Sequence, residues 1–479
     1  MAEGRKQPTV SSGIAGLDEI LRGGLPAANL YILQGDPGAG KTTAALQFLR
    51  AGVEAGERCI YVSLSQSAAE LQAIASSHGW TLDGIRVEEL SASEAVNGGA
   101  DQTIFQTSEL RLDETRKAIE SAIEEHKPHR LVYDSLLEIR LITGDAPRFR
   151  RELIGFKAFL ATRGIVALLL DTQTSGGDHN GEEIEGIAHG VIRLDKTLEE
   201  YGSVRRRIEV SKMRGVAVAD GYHDMAIREG EGIVVFPRIV PGVGGEVVKP
   251  QLIKSGVETL DEMFGGGQES GTITLVIGQS GTGKSTMSSL YATAALQRGE
   301  SVALFLFEER LETFFRRSEG LSMDLRQFYH DGQLVIHDFS PNQVSPGEFG
   351  QIVQRVVEQN QTRVVVIDSF TGYLNSLPHR EKAVLDIQSL LKHLARANVL
   401  TMLIVAQHGL LGQNVGIDVD VSFLGDTVLL LRMIEHEGRL RRNITVVKKR
   451  HGPHDLNVRE LFIASSGVTV IPYNPLPET

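Results

Sequence analysis

The stretch Gly278-Gln279-Ser280-Gly281-Thr282-Gly283-Lys284-Ser285 decides the fold of this chain. It has the G-x-x-x-x-G-K-[ST] spacing of a phosphate-binding loop, in which the glycines let backbone N–H groups approach the phosphates. Leu275-Val276-Ile277 before it is typical of a buried strand, and Thr286 after it can continue a helix. Such a loop requires that context, so we predict a nucleotide site in which Lys284 contacts the β- and γ-phosphates and Ser285 ligates Mg²⁺.

The same loop occurs twice in the chain. Gly35-Asp36-Pro37-Gly38-Ala39-Gly40-Lys41-Thr42 precedes the second loop by the same number of residues that separates Ser12–Glu19 from Ser255–Glu262. Two further pairs keep nearly the same spacing: Leu131–Ser135 with Val365–Ser369, and Arg206–Arg214 with Arg442–Arg450. Two complete loops in register indicate an internal duplication.

Each half is predicted to be one domain, the first at residues 1–246 and the second at residues 247–479. The stretch Pro237–Pro250 is rich in Pro and Gly and is typical of a linker. Strands alternate with helices in each half, which favours an α/β fold with a mainly parallel sheet flanked by helices. We also predict two hairpins at the sheet edges: Gly190–Asp195 with Ser203–Val210, and Asp426–Met433 with Leu440–Val447.

The composition disfavours several classes of protein. The 479 residues carry a formal charge of −12, which gives no general attraction to nucleic acid or to anionic lipid. The apolar runs are much shorter than the roughly 20 residues of a membrane span. The N-terminus lacks the apolar segment of a secretory signal. Cys59 is the single cysteine, so no intrachain disulfide can form, and we expect a cytoplasmic protein.

Carboxylates follow the strands at the edge where open α/β sheets place their ligands. Asp134 and Asp368 each end an apolar strand and are predicted to hold the Mg²⁺ shell; the alternative is that each caps the next helix. Glu308 and Glu309 follow the strand after the second loop's helix, where one of them can act as a base. The alternative there is a solvated acidic turn. The first half has Ser65-Gln66 at the matching position, and neither residue is a carboxylate.

Two basic pairs recur late in the halves. Lys212 with Arg214, and Lys448 with Arg450, alternate along predicted strands, which puts each pair on one face. Phosphoryl transfer commonly uses a cation from outside the loop, often from a neighbouring subunit. The alternative is a solvated basic edge strand that protects against aggregation.

Together these motifs resemble the KaiC family, the double RecA-like ATPases of the circadian clock and their relatives. The resemblance covers nearly the whole chain and implies a tandem duplication of RecA-like P-loop NTPase domains. It rests on the S-G-x-x-x-L-D-E opening of both halves, on both loops, and on the stretches Phe307-Glu308-Glu309, Ile367-Asp368-Ser369, Lys212-Met213-Arg214-Gly215 and Gly425–Leu431.

The resemblance implies a homohexamer of two stacked rings with ATP and Mg²⁺ at the subunit interfaces. The implied metal ligands are Thr42, Asp134, Ser285, Glu308 and Asp368, and the implied catalytic residues are Glu308, Glu309, Lys284, Lys448 and Arg450. The first ATP would contact Gly35, Asp36, Pro37, Gly38, Ala39, Gly40, Lys41, Thr42, Thr43 and Ser77, with Arg206, Lys212, Met213 and Arg214 supplied by a neighbouring chain. The second would contact Gly278, Ser280, Gly281, Thr282, Gly283, Lys284, Ser285 and Thr286, with Arg442, Lys448, Lys449 and Arg450 supplied by a neighbour.

The chain departs from the clock members of the family at two sites. They carry carboxylates where this chain has Ser65-Gln66, so binding and assembly are the expected roles of the first loop. They also carry adjacent Ser and Thr autophosphorylation sites where this chain has Ser422 and Phe423. Ser422 is therefore the one predicted phosphorylation site. Asp418 and Asp420 just before it are expected to form a solvated acidic loop.

Three functions remain open from the sequence. The first is an ATPase with autokinase and autophosphatase activity at Ser422 and a signalling or clock-like role, in which Glu308 takes a proton from water or from Ser422. The second is a nucleotide-gated scaffold whose first ring binds ATP mainly for assembly. The third, a RecA-like DNA-handling ATPase, is disfavoured by the acidic charge and by the lack of a basic, aromatic-interleaved stripe. The chain ends at Thr479, and against the long tail of the clock members this makes KaiA-type activation unexpected. The resemblance leaves a KaiB-like or signalling-protein partner open.

Overall fold

A computed structural model describes residues 8–90, 104–143, 145–172, 180–198, 204–240, 249–340, 344–377, 380–407 and 421–472. The chain divides into two compact units, Met1–Arg238 and Ile239–Thr479. Ile239 belongs to the second unit because its side chain packs over Gly350 in that unit's core. The division therefore falls earlier than the boundary predicted at residue 246. None of the helices in the described ranges has both the length and the apolar character needed to cross a bilayer.

The first unit alternates short strands and helices. In chain order they are β1 (Thr9–Val10), α1 (Leu17–Ile20), β2 (Leu25–Pro26), β3 (Leu30–Gly35), α2 (Lys41–Glu54), β4 (Cys59–Ser63), α3 (Ala68–Ser77), β5 (Ile85–Glu89), α4 (Ile104–His126), β6 (Arg130–Asp134), α5 (Leu136–Thr143), α6 (Ala146–Ala161), β7 (Val166–Thr172), α7 (Asn180–Ile187), β8 (Gly190–Thr197), β9 (Arg205–Met213), β10 (Tyr222–Arg228) and β11 (Gly232–Phe236).

The main sheet of the first unit has nine strands in the order β11-β10-β9-β8-β3-β7-β6-β4-β5. The strands from β8 to β5 run parallel, and β9, β10 and β11 continue the sheet in antiparallel pairs. The strand β3 lies between β7 and β8, within the parallel part. The first loop therefore follows an interior strand, at the carboxyl edge where α/β sheets bind ligands.

The second unit repeats this arrangement. Its elements are β12 (Leu252–Ile253), α8 (Glu258–Met263), β13 (Gln268–Glu269), β14 (Ile273–Gly278), α9 (Lys284–Gln297), β15 (Val302–Leu306), α10 (Leu311–Glu319), α11 (Arg326–His330), β16 (Leu334–Asp338), α12 (Pro346–Asn360), β17 (Val364–Asp368), α13 (Phe370–Asn375), α14 (Arg380–Arg396), β18 (Leu400–Ala406), β19 (Thr427–His436), β20 (Arg439–Lys449), β21 (Arg459–Ala464) and β22 (Gly467–Pro472). The sheet order β22-β21-β20-β19-β14-β18-β17-β15-β16 matches that of the first unit strand for strand. The predicted tandem duplication of mainly parallel sheets is confirmed.

Each face of the first sheet carries its own apolar cluster. Tyr31 and Leu33 of β3 pack with residues of α2, whereas Leu30 and Ile32 of the same strand pack with residues of α6. Successive side chains of a strand point to opposite faces, so this division shows that β3 is buried between two helical layers. The loop at its end is thus held by a rigid strand.

The two predicted hairpins form, but their position at the sheet edge was wrong. The hairpins are β8 with β9 and β19 with β20, and a further pair of strands lies outside each of them. Arg206–Glu209 of β9 pairs with β10, and Asn443–Ile444 of β20 pairs with β21. The strand ends that carry Lys212 and Lys448 extend beyond these pairings.

A register shift interrupts both hairpins at the same point. It follows Val191 in β8 and Val428 in β19, and these two residues face Lys212 and Lys448 across the ladder. Such a bulge bends the strand and increases its local twist. The extra residue lies in β9 and in β20, so these strands bend just before the basic pairs.

Candidate nucleotide sites

The first loop joins β3 to α2 at the carboxyl edge of its sheet. Gly38 and Gly40 have φ angles of 75° and 112°, a left-handed conformation that glycine adopts without strain. A Cβ on Gly40 would lie 2.9 Å from Ile227 Cδ1, so a larger residue would disturb the packing beneath the loop. The Lys41 ammonium donates to the Gly35 carbonyl at 2.7 Å, which holds the lysine over the loop.

The second loop has the same geometry between β14 and α9. Gly281 and Gly283 have φ angles of 78° and 103°, and the Lys284 ammonium donates to the Gln279 carbonyl at 2.7 Å. The other predicted loop residues lie in these two loops or in the first turns of α2 and α9: Asp36, Pro37, Ala39, Thr42, Thr43, Gly278, Ser280, Thr282, Ser285 and Thr286. A glycine-rich turn at a helix N-terminus with a lysine above it fits a bound phosphate.

Burial makes both loop lysines favourable partners for an anion. Desolvation lowers the pKa of Lys41 and of Lys284, and it is opposed by nearby carboxylates, chiefly Asp134 and Asp368 respectively. A buried ammonium lacks part of its hydration. A phosphate oxygen that replaces the loop carbonyl therefore interacts with it more strongly than with the ammonium of an exposed lysine.

The strand-ending aspartates lie beside the loop hydroxyls. Asp134 accepts a hydrogen bond from the Tyr61 hydroxyl at 2.6 Å, and Tyr61 also interacts with Thr42. Asp368 interacts with the Ser285 hydroxyl directly. Burial raises the pKa of both aspartates. A hydroxyl and a carboxylate at the mouth of each loop fit a Mg²⁺ ion that takes its other ligands from phosphate and water.

The two adjacent carboxylates of the second half have different surroundings. Glu309 forms a bidentate ion pair with Arg317 of α10, at 2.9 Å and 3.1 Å. Glu308 is exposed, and it lies close enough to Lys284 for its charge to favour the protonated form of that lysine. Among the described residues Glu308 has no hydrogen-bond or ion-pair partner, and its side chain lies over Gly372. The carboxylate available at the second loop is therefore that of Glu308.

The basic pairs do not lie at the loops of their own chain. In the first unit the Lys212 ammonium donates to the Glu185 carbonyl, and Arg214 Nη2 donates to the Gly186 carbonyl at 2.8 Å. Both acceptors belong to the last turn of α7, where cations are favoured by the helix dipole. Met213 between them packs against the apolar core.

The second unit places its basic pair on the turn before β19. Lys448 Nζ donates to the carbonyls of Ser422 at 3.1 Å and Gly425 at 2.8 Å. Arg450 forms an ion pair with Asp426 at 3.2 Å. Asp426 lies next to the first residue of β14, whereas the phosphate-binding loop follows the last residue of that strand. At roughly 3.3 Å per residue the six residues of β14 separate this turn from its own loop by about 17 Å.

Arg442 differs from the rest of its predicted group. Its Nε donates to the Gly281 carbonyl at 3.2 Å, within the loop of its own chain. Arg206 occupies the same place in the first hairpin, opposite Lys196. Lys449 donates to the Phe264 carbonyl, and burial lowers its pKa. Arg206 and Arg442 therefore lie at the loop edge of the sheet, whereas the Lys-x-Arg pairs lie at the opposite end of the hairpins.

The remaining predicted residues lie elsewhere. Ser77 is the last residue of α3, exposed, with its hydroxyl donating to the Ile74 carbonyl at 2.7 Å. Ser422 is exposed on the turn held by Lys448. Asp418 and Asp420 lie outside the described residues.

Sequence reasoning missed several polar residues of the first site. Asp171 is buried and forms an ion pair with Arg140 at 3.2 Å. Glu138 accepts a hydrogen bond from Ser135, directly after Asp134. Lys196 Nζ lies 3.2 Å from where a Cβ on Gly38 would stand. A comparison of the two halves beyond the loops could have found Glu138, because the matching position in the second half is a glycine.

Comparison with known proteins agrees with this geometry. The family model described as "ATPase: KaiC" matches residues 10–239 and again residues 253–474. This chain belongs to the KaiC family of ATPases. This member of the KaiC family is an ATP-binding protein, and each match contains one complete loop with its strand-ending aspartate.

Several known proteins are similar to this chain over nearly its whole length. The chain is 27% identical over 467 residues to "Circadian clock protein KaiC3" of Synechocystis sp., covering 96% of this chain and 91% of the relative. It is 30% identical over 473 residues to "Circadian clock protein KaiC2" of the same organism, covering 96% and 81%. It is 28% identical over 480 residues to "Circadian clock oscillator protein KaiC" of Parathermosynechococcus lividus, covering 98% and 86%.

Proposed function

We propose that this protein hydrolyses ATP at its second loop, with Glu308 as the base that takes a proton from the attacking water. The observation that carries the proposal is the different pairing of Glu308 and Glu309. Arg317 neutralises Glu309, whereas Glu308 has no ion-pair partner in the described part of the chain. A free carboxylate beside the loop lysine suits general base catalysis. Mg²⁺, held by Ser285 and Asp368, would neutralise charge on the phosphates. The number of bound ATP molecules cleaved by the Glu308→Gln chain tests this assignment.

The protein is further proposed to act as a homohexamer of two stacked rings, with ATP between neighbouring chains. The position of Lys448 and Arg450 supports this, because both stand at the end of the hairpin remote from their own loop. From there they can reach a nucleotide only on another chain. Lys212 and Arg214 have the same position in the first unit. A signalling or clock-like role is proposed because these relatives are named as circadian clock proteins, and the resemblance to their family implies a KaiB-like partner.

Autophosphorylation at Ser422 is the second proposed activity. Ser422 is exposed, and its turn is fixed by Lys448 through two main-chain carbonyls. The turn lies at the edge of the sheet opposite the loop of its own chain, so the phosphoryl group would come from ATP on a neighbouring chain. There Glu308 of that chain would take the proton of the Ser422 hydroxyl as the serine oxygen bonds to the γ-phosphorus. The bond from that phosphorus to the bridging oxygen breaks, and ADP leaves.

Intact-mass measurement after incubation with Mg-ATP tests the autokinase. We expect one added phosphoryl group per chain in the native protein and none in Ser422→Ala. Ser465→Ala is the matched control, because Ser465 is exposed on the turn between β21 and β22. A Ser422→Ala chain that still gains the mass of one phosphoryl group would exclude Ser422 as the acceptor.

A further inference from the structure

We propose that Glu138 is the catalytic carboxylate of the first site, so that the first half hydrolyses ATP as well as binding it. The inference rests on the proposed function, since it requires ATP at the first loop. The lack of a carboxylate at Ser65-Gln66 predicts a site for binding alone. The structure places a carboxylate beside Asp134 from α5 instead.

The second half shows which two positions face each other. A Cβ on Gly372 would lie 2.9 Å from Glu308 Cγ and 3.1 Å from Glu308 Oε1. Position 372, in the first turn of α13, therefore points directly at the catalytic carboxylate. The glycine at 372 leaves this volume to the Glu308 side chain, which a larger residue there would displace.

The first half carries the complementary pair. Glu138 stands in α5 where Gly372 stands in α13, three residues after the serine that follows the strand-ending aspartate. That serine bonds to the third residue onward in both units: Ser135 to the Glu138 carboxylate and Ser369 to the Gly372 amide. Ser65 in turn stands where Glu308 does. A small residue and a glutamate have thus exchanged places, and the carboxylate enters the same region of the site from α5.

The surroundings of Glu138 leave it able to act. It is half-buried, and its one hydrogen-bond partner among the described residues is the neutral Ser135 hydroxyl. It lies close enough to Asp134 to raise the pKa of that group further. Asp171, a carboxylate close to Lys41, has a side chain only 3% exposed and is paired with Arg140. Water can reach Glu138 but not Asp171.

The step is hydrolysis of the terminal phosphoanhydride. Glu138 takes a proton from water as the water oxygen bonds to the γ-phosphorus, and the bond from that phosphorus to the bridging oxygen breaks. ADP and phosphate result, and the proton passes to bulk water. Lys41 and Lys196 stand at the loop to balance the developing negative charge, and the position of Lys196 is taken by Met433 in the second half.

The test uses the full chain with Lys284→Ala, which removes nucleotide from the second loop. In this background we expect steady ATP turnover from the first loop. Adding Glu138→Gln should lower it about 100-fold, within the range for loss of a general base. A fluorescent ATP analogue should bind equally with and without this change. Glu114→Gln, an exposed carboxylate on α4, is the matched control and should turn over like the background.

A second variant gives the first half the arrangement of residues that the second half has. Ser65→Glu with Glu138→Gly recreates the pair at 308 and 372, and we expect it to recover turnover that Glu138→Gly alone loses. Such rescue separates catalysis from a structural role of Glu138. The inference is overturned if nucleotide binds at the first loop but no turnover occurs, or if turnover survives Glu138→Gln. Absence of nucleotide binding at the first loop would instead refute the ATP proposed for that ring, and this inference with it, while the hydrolysis proposed for the second loop would stand.

Discussion

A Glu308→Gln chain is expected to cleave one bound ATP fewer per chain than the native protein in a single-turnover reaction. The amide is nearly isosteric with the carboxylate but cannot accept the proton of the attacking water. Loss of such a base slows the step about 100-fold or more, so ATP at the second loop stays intact while native protein completes its turnover. The measurement is quenched-flow separation of labelled phosphate from labelled ATP, started with both loops filled and with unbound nucleotide removed.

Glu309→Gln is the matched control for this reaction. It changes the neighbouring residue in the same way, but Glu309 is held by Arg317 and does not face the loop as a free base. We expect this chain to cleave the native number of ATP molecules, with some loss of stability at α10. Equal cleavage by native and Glu308→Gln chains, at equal rates, would remove Glu308 from the mechanism.

The second large effect is expected on assembly. With Mg-ATP the native chain should have the mass of six copies, and Lys41→Ala should fail to assemble. Lys212 and Arg214 bond to the last turn of α7 rather than to their own loop, and we expect them to contact a neighbour's nucleotide. Without Lys41 the first loop loses its phosphate-binding cation, so the neighbour's two cations lose the anion that they would contact.

Native mass spectrometry with and without Mg-ATP measures this effect. Lys284→Ala is the control, because the scaffold hypothesis assigns ring assembly to the first loop, and this chain should remain six-membered. A Lys41→Ala chain that forms the six-membered assembly under Mg-ATP would show that first-loop nucleotide does not hold the ring.

Much of the fold could be predicted from local patterns. Each loop consists of contiguous residues, and the strand before it and the helix after it are apolar segments of the expected length, so the sequence determines this unit locally. The strand order and the flanking helices follow from repeating that unit. The outer strands β10, β11, β21 and β22 were not predicted, because their pairing depends on contacts with β9 and β20 that leave no periodic signal.

The site was predictable only where its residues are adjacent in sequence. Glu308 and Glu309 appear equivalent in the sequence, and only the contact with Arg317 on the following helix distinguishes them. The exchange between Glu138 and Ser65 depends on which positions face each other across the site. That information resides in the packing of Gly372 against Glu308, not in the spacing of any motif.

The central claim is that both halves of the duplication bind ATP, and the most direct test is the number of nucleotides bound per chain. Equilibrium titration with Mg²⁺ and a slowly hydrolysed ATP analogue should give two per native chain. It should give one for Lys41→Ala, one for Lys284→Ala and none for the double variant. A native chain that binds a single nucleotide, or a double variant that still binds two, would contradict the account.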